Sequence, residues 1–403
     1  MNKYITKTSV LFCFISIGSV ANAQVAVRAE TVYTMAGEPI RDGIVYIENG
    51  KIKAVGPAAT TAIPAGTPMR VAKVVTPGLI DAHTCVGLTG YLNQSHDQEQ
   101  IEKSAPIQPE LRAMDAYNSQ DALVEWVRGF GITTIHTGHG PGALVSGQTM
   151  IVKTAGKTVE DAVVISSAMV AATLGDSAIG DKTPGTRAKA IALLREELVK
   201  TQSYQKKMQN SDESKRPELN LRMETLAKVL SGELPILVTA HRHQDILSTL
   251  RLAKEFNLKL FLDGAADALL VIDEIKKSGF PVIVHPAMQR AGGETENLSF
   301  ETAGKLQKAG IPILLQSGFE GYVPKTRVVL FEAAVAAAHG LGRDATLRTL
   351  TIDAAKLLNI DKRVGSIEIG KDGDLALFDG DPFEYTTHCL GSVVNGVLYS
   401  GVK

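Results

Sequence analysis

Apolar and polar positions follow two rhythms along this chain. From about residue 25 to 56, "VAVRAETVYTM" and "DGIVYIENGKIKAVG" alternate in the way of short strands with one buried face. Asn49-Gly50 separates two such runs, which predicts a tight hairpin, because both residue types accept positive φ. The far end repeats the grammar: "GSIEIGKDGDLALFDGDP" and "LGSVVNGVLYSG" read as strands, with a second hairpin at Asn395-Gly396. Two β-rich ends around a long middle predict one small sheet domain built from both termini, residues 24–75 with 365–403.

In the middle, residues 76–364, apolar runs alternate with amphipathic helices. "VVTPGLIDAH", "GITTIHTG", "DAVVISSA", "LPILVTAH", "LKLFLDG", "FPVIVHP" and "IPILLQS" read as buried strands. "TRAKAIALLREELVKT", "QDILSTLRLAKEFN" and "ALLVIDEIKKSG" carry helical spacing between them. Buried strands alternating with helices imply a parallel sheet. Seven such strands, with a weaker eighth near Ala171, predict a closed (β/α)8 barrel of the TIM type. Its chemistry then belongs at the C-terminal strand ends.

Composition changes this picture little. The 403 residues are 44 % hydrophobic and 21 % charged, as in a globular protein with a large core. Residues 1–23 stand apart: Lys3 and Lys7 precede the apolar run "SVLFCFISIGSV", and Ala21-Asn22-Ala23 has the small-x-small form of a cleavage site. This predicts a signal peptide and an exported protein, periplasmic or secreted, without a membrane anchor. Removing the segment shifts the net charge from −1 to about −3. That balance, without a basic tract, gives no support for a nucleic-acid partner. Cys85 and Cys389 remain and are expected to be separate thiols.

"TPGLIDAHT", "TIDAAKLLNIDKRVGSIEIG", "GKDGDLALFDGDP" and "VVNGVLYSG" together resemble the amidohydrolase superfamily, with exported imidazolonepropionase-like proteins as the nearest branch. The resemblance runs over essentially the whole chain after residue 23. It implies the fold just described, a (β/α)8 barrel plus a small β-sandwich from both termini. It also implies hydrolysis of C–N bonds with one or two divalent metals such as zinc, which polarise the carbonyl and activate water.

Compared position by position with that pattern, the ligand set is altered. The first strand keeps His83 but has Cys85 in place of a second histidine. The bridging lysine of the fourth strand falls on Ala171, and the fifth-strand ligand falls on Thr239, with His241 at the next histidine of the motif and His243 additional. Asp263 stands at the sixth-strand histidine, and the eighth-strand catalytic aspartate falls on Gly318, after Ser317. His136, His139 and His285 also lie at or just past strand ends. His339 and His388 read as structural.

Two functions remain open. One is a hydrolase of C–N bonds in small or peptide-like substrates, with a metal site rebuilt from His83, Cys85, His241 and Asp263. The other is a non-catalytic binding protein without metal, or the silent subunit of a homo- or hetero-oligomer with a complete relative. The glycine-rich loop 138–147 and the polar stretch 96–104 are expected to shape the barrel mouth, the latter as a solvated loop.

Overall fold

The computed structural model describes residues 24–91, 94–180, 184–319 and 328–402; the segment expected to be a signal peptide, 1–23, lies outside them. The chain opens with β1 (Gln24–Val32), β2 (Ile40–Glu48), β3 (Lys51–Pro57) and β4 (Met69–Pro77). β1, β2 and β3 pair antiparallel in order, and β4 returns parallel to β1. Glu48 pairs with Lys51 across the Asn49-Gly50 turn, where φ is 52° and 75°, so the predicted two-residue hairpin is present.

The barrel strands follow: β5 (Leu79–Thr84), β6 (Ile132–Thr137), β7 (Val145–Gln148), β8 (Met150–Lys153), β9 (Val163–Ile165), β10 (Val170–Leu174), β11 (Ile236–Ala240), β12 (Leu260–Gly264), β13 (Val282–Val284) and β14 (Ile313–Leu315). β10 through β14 pair in order, all parallel, and β5 pairs parallel with β6. Every residue of these seven strands is buried, as strands covered on both faces require. Past β14, the Gly318 N–H donates to the His83 carbonyl (3.0 Å) and sets the eighth strand against the first.

The third barrel position departs from the expectation. "DAVVISSA" supplies β9, which pairs antiparallel with the outer edge of β8. The position itself is held by β7 and β8, antiparallel to β10 and β6 respectively. They meet at Thr149, whose hydroxyl lies 2.6 Å from His136 Nε2 and accepts from the Met169 N–H (3.1 Å). Those contacts pin the bend, so a short hairpin takes the place that a strand after a helix would fill.

Helix ends follow local chemistry. The Thr186 hydroxyl caps Arg187–Met208, and Asn257 and Gly279 close His243–Phe256 and Ile272–Ser278 in the left-handed conformation. No helix among the described residues is long and apolar enough to cross a membrane.

β15 (Leu375–Phe378), β16 (Cys389–Val394) and β17 (Val397–Ser400) then rejoin the first sheet. β15 pairs with β4, giving seven strands in the order β17-β16-β15-β4-β1-β2-β3. Asn395-Gly396 is the second hairpin, with φ of 49° and 79°. A bridge between Lys51 and Asp372 draws the β3 edge toward β15. Val27, Ile47, Ile52, Val75, Leu377 and Val393 fill the core so enclosed. One seven-stranded sheet thus takes strands from both ends of the described chain, with β4 running to Pro77.

A buried ion cluster ties the two parts together. Lys153 of β8, 1 % exposed, contacts Asp374 and lies 3.2 Å from Asp372, both just ahead of β15. Asp372 also receives Lys51 (2.6 Å) and Arg363 (2.9 Å). Cys85 and Cys389 are free, as the sequence suggests.

Candidate functional site at the barrel mouth

β5, β11, β12 and the segment after β14 deliver their last side chains to one point. Thr239 and Asp263 are register partners on neighbouring parallel strands, so their side chains meet at equal depth. The Thr239 hydroxyl donates to Asp263 Oδ2 (2.6 Å), and Gln316 Nε2 donates to Oδ1 (2.8 Å). His83 Nδ1 lies 3.2 Å from the same Oδ1. Both His83 and Asp263 side chains are about 5 % exposed.

Burial opposes both charges, yet the pair wins. Desolvation drives the His83 pKa down, but the charge and hydrogen bond of Asp263 outweigh it and leave it raised. Desolvation likewise pushes Asp263 up, and the His83 charge with the three hydrogen bonds brings it below the usual carboxylate range. The two shifts agree in direction: Asp263 keeps its charge, and that charge makes the His83 ring more basic than burial alone would leave it. His83 Nε2, at the far side of the ring, is buried without a protein partner.

Asp81, two residues before His83, has a separate role. Its carboxylate accepts from the Ser317 N–H (3.0 Å), the Ser317 hydroxyl and the His83 N–H (3.3 Å). Burial dominates these bonds and raises its pKa to about 6. Asp81 and Ser317 thereby join the first barrel strand to the eighth.

The cleft above is small, with about 30 Å³ of space, and is partly open to solvent. His83, Cys85, His241 and Asp263 all line it, so the four residues singled out in the sequence do share one place. Phe319, Pro141 and Pro286 form apolar walls. Burial, reinforced by the nearby Asp263 and Asp81 charges, pushes the Cys85 thiol strongly up, so it is a neutral thiol here. His241 packs where Gly264 has no side chain, and its Nδ1 is buried without a partner.

The other strand-end histidines go elsewhere. His136 has both ring nitrogens engaged, on the Ala82 carbonyl (2.7 Å) and Thr149, and burial takes its pKa down to about 3. His285 sits between the Pro286 carbonyl and the Thr302 hydroxyl, its pKa lowered by burial to about 4. His243 turns outward to Asp267, and His139 is buried off the cleft lining. The 96–104 stretch is less solvated than expected: Gln100 is buried, and its carbonyl accepts from the Gly140 N–H (2.8 Å).

The family's metal centre is a poor fit to these residues. A metal ligand needs a free lone pair directed at the ion. Asp263 has both oxygens engaged, Oδ2 by Thr239 and Oδ1 by Gln316 and His83, which leaves about one lone-pair position free. Ala171 offers no ligand atom. At Gly318, φ is +68° and an added Cβ would stand 2.6 Å from Pro286 Cγ, so the backbone itself disfavours a carboxylate there. Among the described residues no three His, Cys, Asp or Glu side chains are arranged to hold an ion. Thr239, discounted in the sequence as a non-ligand, and Gln316, unremarked there, turn out to organise the site. The polar "QS" closing an apolar strand was the only local signal for Gln316.

The architecture is an eight-position α/β barrel with a terminal sheet drawn from both ends of the chain, and polar side chains gather at its C-terminal mouth. Similarity to known proteins narrows it. Residues 322–402 match the amidohydrolase family model. The chain is 25 % identical to an imidazolonepropionase from Fusobacterium nucleatum subsp. nucleatum, over 90 % of this chain and 91 % of that one. It superposes on an amidohydrolase from Thermotoga maritima MSB8 with a TM-score of 0.86 and 27 % identity, covering 94 % of this chain and 100 % of that one. A zinc-bound adenosine deaminase from Xanthomonas campestris shares the fold at a TM-score of 0.52 and 18 % identity, with 94 % and 93 % covered. In sequence and in fold the chain is thus similar to the amidohydrolase superfamily.

Proposed function

We propose that this chain is an amidohydrolase-fold protein whose barrel mouth receives a small polar molecule through protein hydrogen bonds, without the two-metal chemistry of the family. The observation that carries the reading is Asp263: its carboxylate is already held by Thr239, Gln316 and His83. The unpartnered nitrogens of His83 and His241, set among Phe319, Pro141 and Pro286, give a ligand polar anchors between apolar walls. The imidazolonepropionase and amidohydrolase relatives point to a small molecule with a C–N bond as the ligand class.

A second reading has one observation behind it. Two free imidazole nitrogens and the Cys85 sulfur line the same cleft, so a single zinc ion bound by His83, His241 and Cys85 would support a C–N hydrolase. That ion would have to draw a proton from a thiol that burial keeps neutral. Either reading accommodates export, on the pattern of residues 1–23, and a related subunit that keeps a full ligand set.

Thermal melts after EDTA dialysis separate the two readings. Small amides and lactams raise the melting temperature of the metal-free protein if the first holds. A shift that appears only with zinc or manganese added supports the second.

A further inference from the structure

The cleft at the mouth, with about 30 Å³ of space, has room for about two or three water molecules. A small organic molecule needs more, so one wall has to move. The wall built to do so is the segment 286–298, which follows β13. Pro286 and Gln289 line the cleft. The Met288 N–H ties the near end of the segment to Glu332 (2.7 Å). Further on, Gly292 and Gly293 stand where an added Cβ would meet nothing within 4 Å, so the backbone turns there unhindered. Among the described residues no strand pairing holds this segment.

Polar side chains hold its far end instead, at points just past three neighbouring strands. Past β12, Asn297 Nδ2 donates to Asp267 Oδ1 (2.8 Å). Past β11, Arg242 pairs with Glu296. Past β10, Arg187 Nη2 lies 2.6 Å from Glu294 Oε1. The Glu294 carboxylate rests on Gly175, where a Cβ would stand 2.6 Å from its Oε2, and the side chain is only 13 % exposed. Arg187 is fixed in turn by Asp245 (2.9 Å), and Arg242 lies 3.9 Å from Asp267. We propose that residues 286–298 are a strap that closes the barrel mouth, latched by Glu294 on Arg187 and by Glu296 on Arg242, and that its release admits a small molecule to the cleft. The inference rests on the reading that a small polar molecule enters the mouth. Both arginines keep a partly exposed side chain, so salt weakens the latch from the solvent side.

Two readouts test it on the full protein in EDTA. Backbone hydrogen exchange of residues 287–298 reads the strap. Labelling of Cys85 by N-ethylmaleimide, followed on its peptide by mass, reads the cleft, because Cys85 lines it and is buried. Half-buried Cys389, on β16 of the terminal sheet, is the internal control. The Glu294→Gln, Glu296→Gln double variant keeps side-chain size and leaves Arg187 on Asp245. It should speed both readouts roughly tenfold or more, the worth of one charge-assisted hydrogen bond, with Cys389 unchanged. Raising NaCl should speed Cys85 labelling in wild type and leave the double variant flat. Arg195→Gln, which breaks an exposed pair with Glu255 elsewhere, should match wild type. Unchanged exchange in the double variant overturns the latch. Faster exchange without faster Cys85 labelling overturns the gate, and so does equal acceleration of Cys85 and Cys389, which marks loosening of the whole fold. Added zinc that shields Cys85 in wild type and variant alike overturns only the metal-free reading, since hydrogen exchange reads the strap without the thiol.

Discussion

Restoring an aspartate at position 318 should damage the fold before it repairs any chemistry. Gly318 occupies the left-handed region at φ +68°, and a Cβ there would sit 2.6 Å from Pro286 Cγ and 3.2 Å from its Cδ. Left-handed backbone costs a non-glycine residue roughly 1–2 kcal/mol. Relieving a contact well inside van der Waals distance against a proline ring adds about 1–3 kcal/mol, as overpacking does elsewhere. Gly318→Ala, which has the Cβ but no charge, should therefore lose about 2–5 kcal/mol. Gly318→Asp should lose at least as much, since its carboxylate arrives near Asp81 and Asp263. Urea denaturation at pH 7 reads both values. Neither Gly318→Asp nor its combination with Cys85→His should raise bound zinc, because Asp263 and Thr239 remain bonded to each other. An alanine variant as stable as wild type, or zinc bound by Gly318→Asp alone, would refute the reasoning.

Three further outcomes follow from the same geometry. Lys153→Met leaves Asp374 with only the Asn395 N–H (2.8 Å) among the contacts described, and should cost about 3–5 kcal/mol in urea denaturation, whereas a loss below about 1 kcal/mol would show that the cluster does not bind the two domains together. Thr239→Val removes one donor from a buried carboxylate and should cost about 1–3 kcal/mol, while raising the Asp263 pKa as followed by carboxyl NMR; an unchanged pKa would deny that Thr239 holds the charge. His136 and His285 are neutral when folded, with pKa values of about 3 and about 4 against 6.5 unfolded, so the stability they carry is full above pH 6.5 and is lost as pH falls toward those values. Asp81, raised to about 6, works the other way, gaining stability as pH falls through 6 toward 3.8. The two histidines together exceed the one aspartate, so these three groups should lower stability by a few kcal/mol, to order of magnitude, between pH 7 and 4.5. A His136→Asn, His285→Asn double variant that retains the full wild-type acid sensitivity would contradict the assignment.

Much of the fold was legible because its signals are local. Two Asn-Gly pairs marked two hairpins, and apolar runs marked strands buried on both faces. The third barrel position was not legible, since "DAVVISSA" has the composition of a barrel strand. What excludes it is Thr149, tied to residues 13 and 20 positions away, and no local pattern carries such contacts. At the site, the four residues singled out against the family pattern, His83, Cys85, His241 and Asp263, line one cleft. What those residues do there depends on partners. Asp263 looks like a ligand until Thr239 and Gln316 are seen on its oxygens, and Gly318 looks like a simple loss until its φ and Pro286 are known.

Elemental analysis of the purified protein, with Cys85→Ala beside it, tests the central claim most directly. The account predicts far less than one equivalent of zinc, manganese or iron per chain, before and after incubation with excess metal and desalting, and no difference in the variant. One equivalent of zinc that falls away in Cys85→Ala would contradict it, and would make the barrel mouth a rebuilt metal centre.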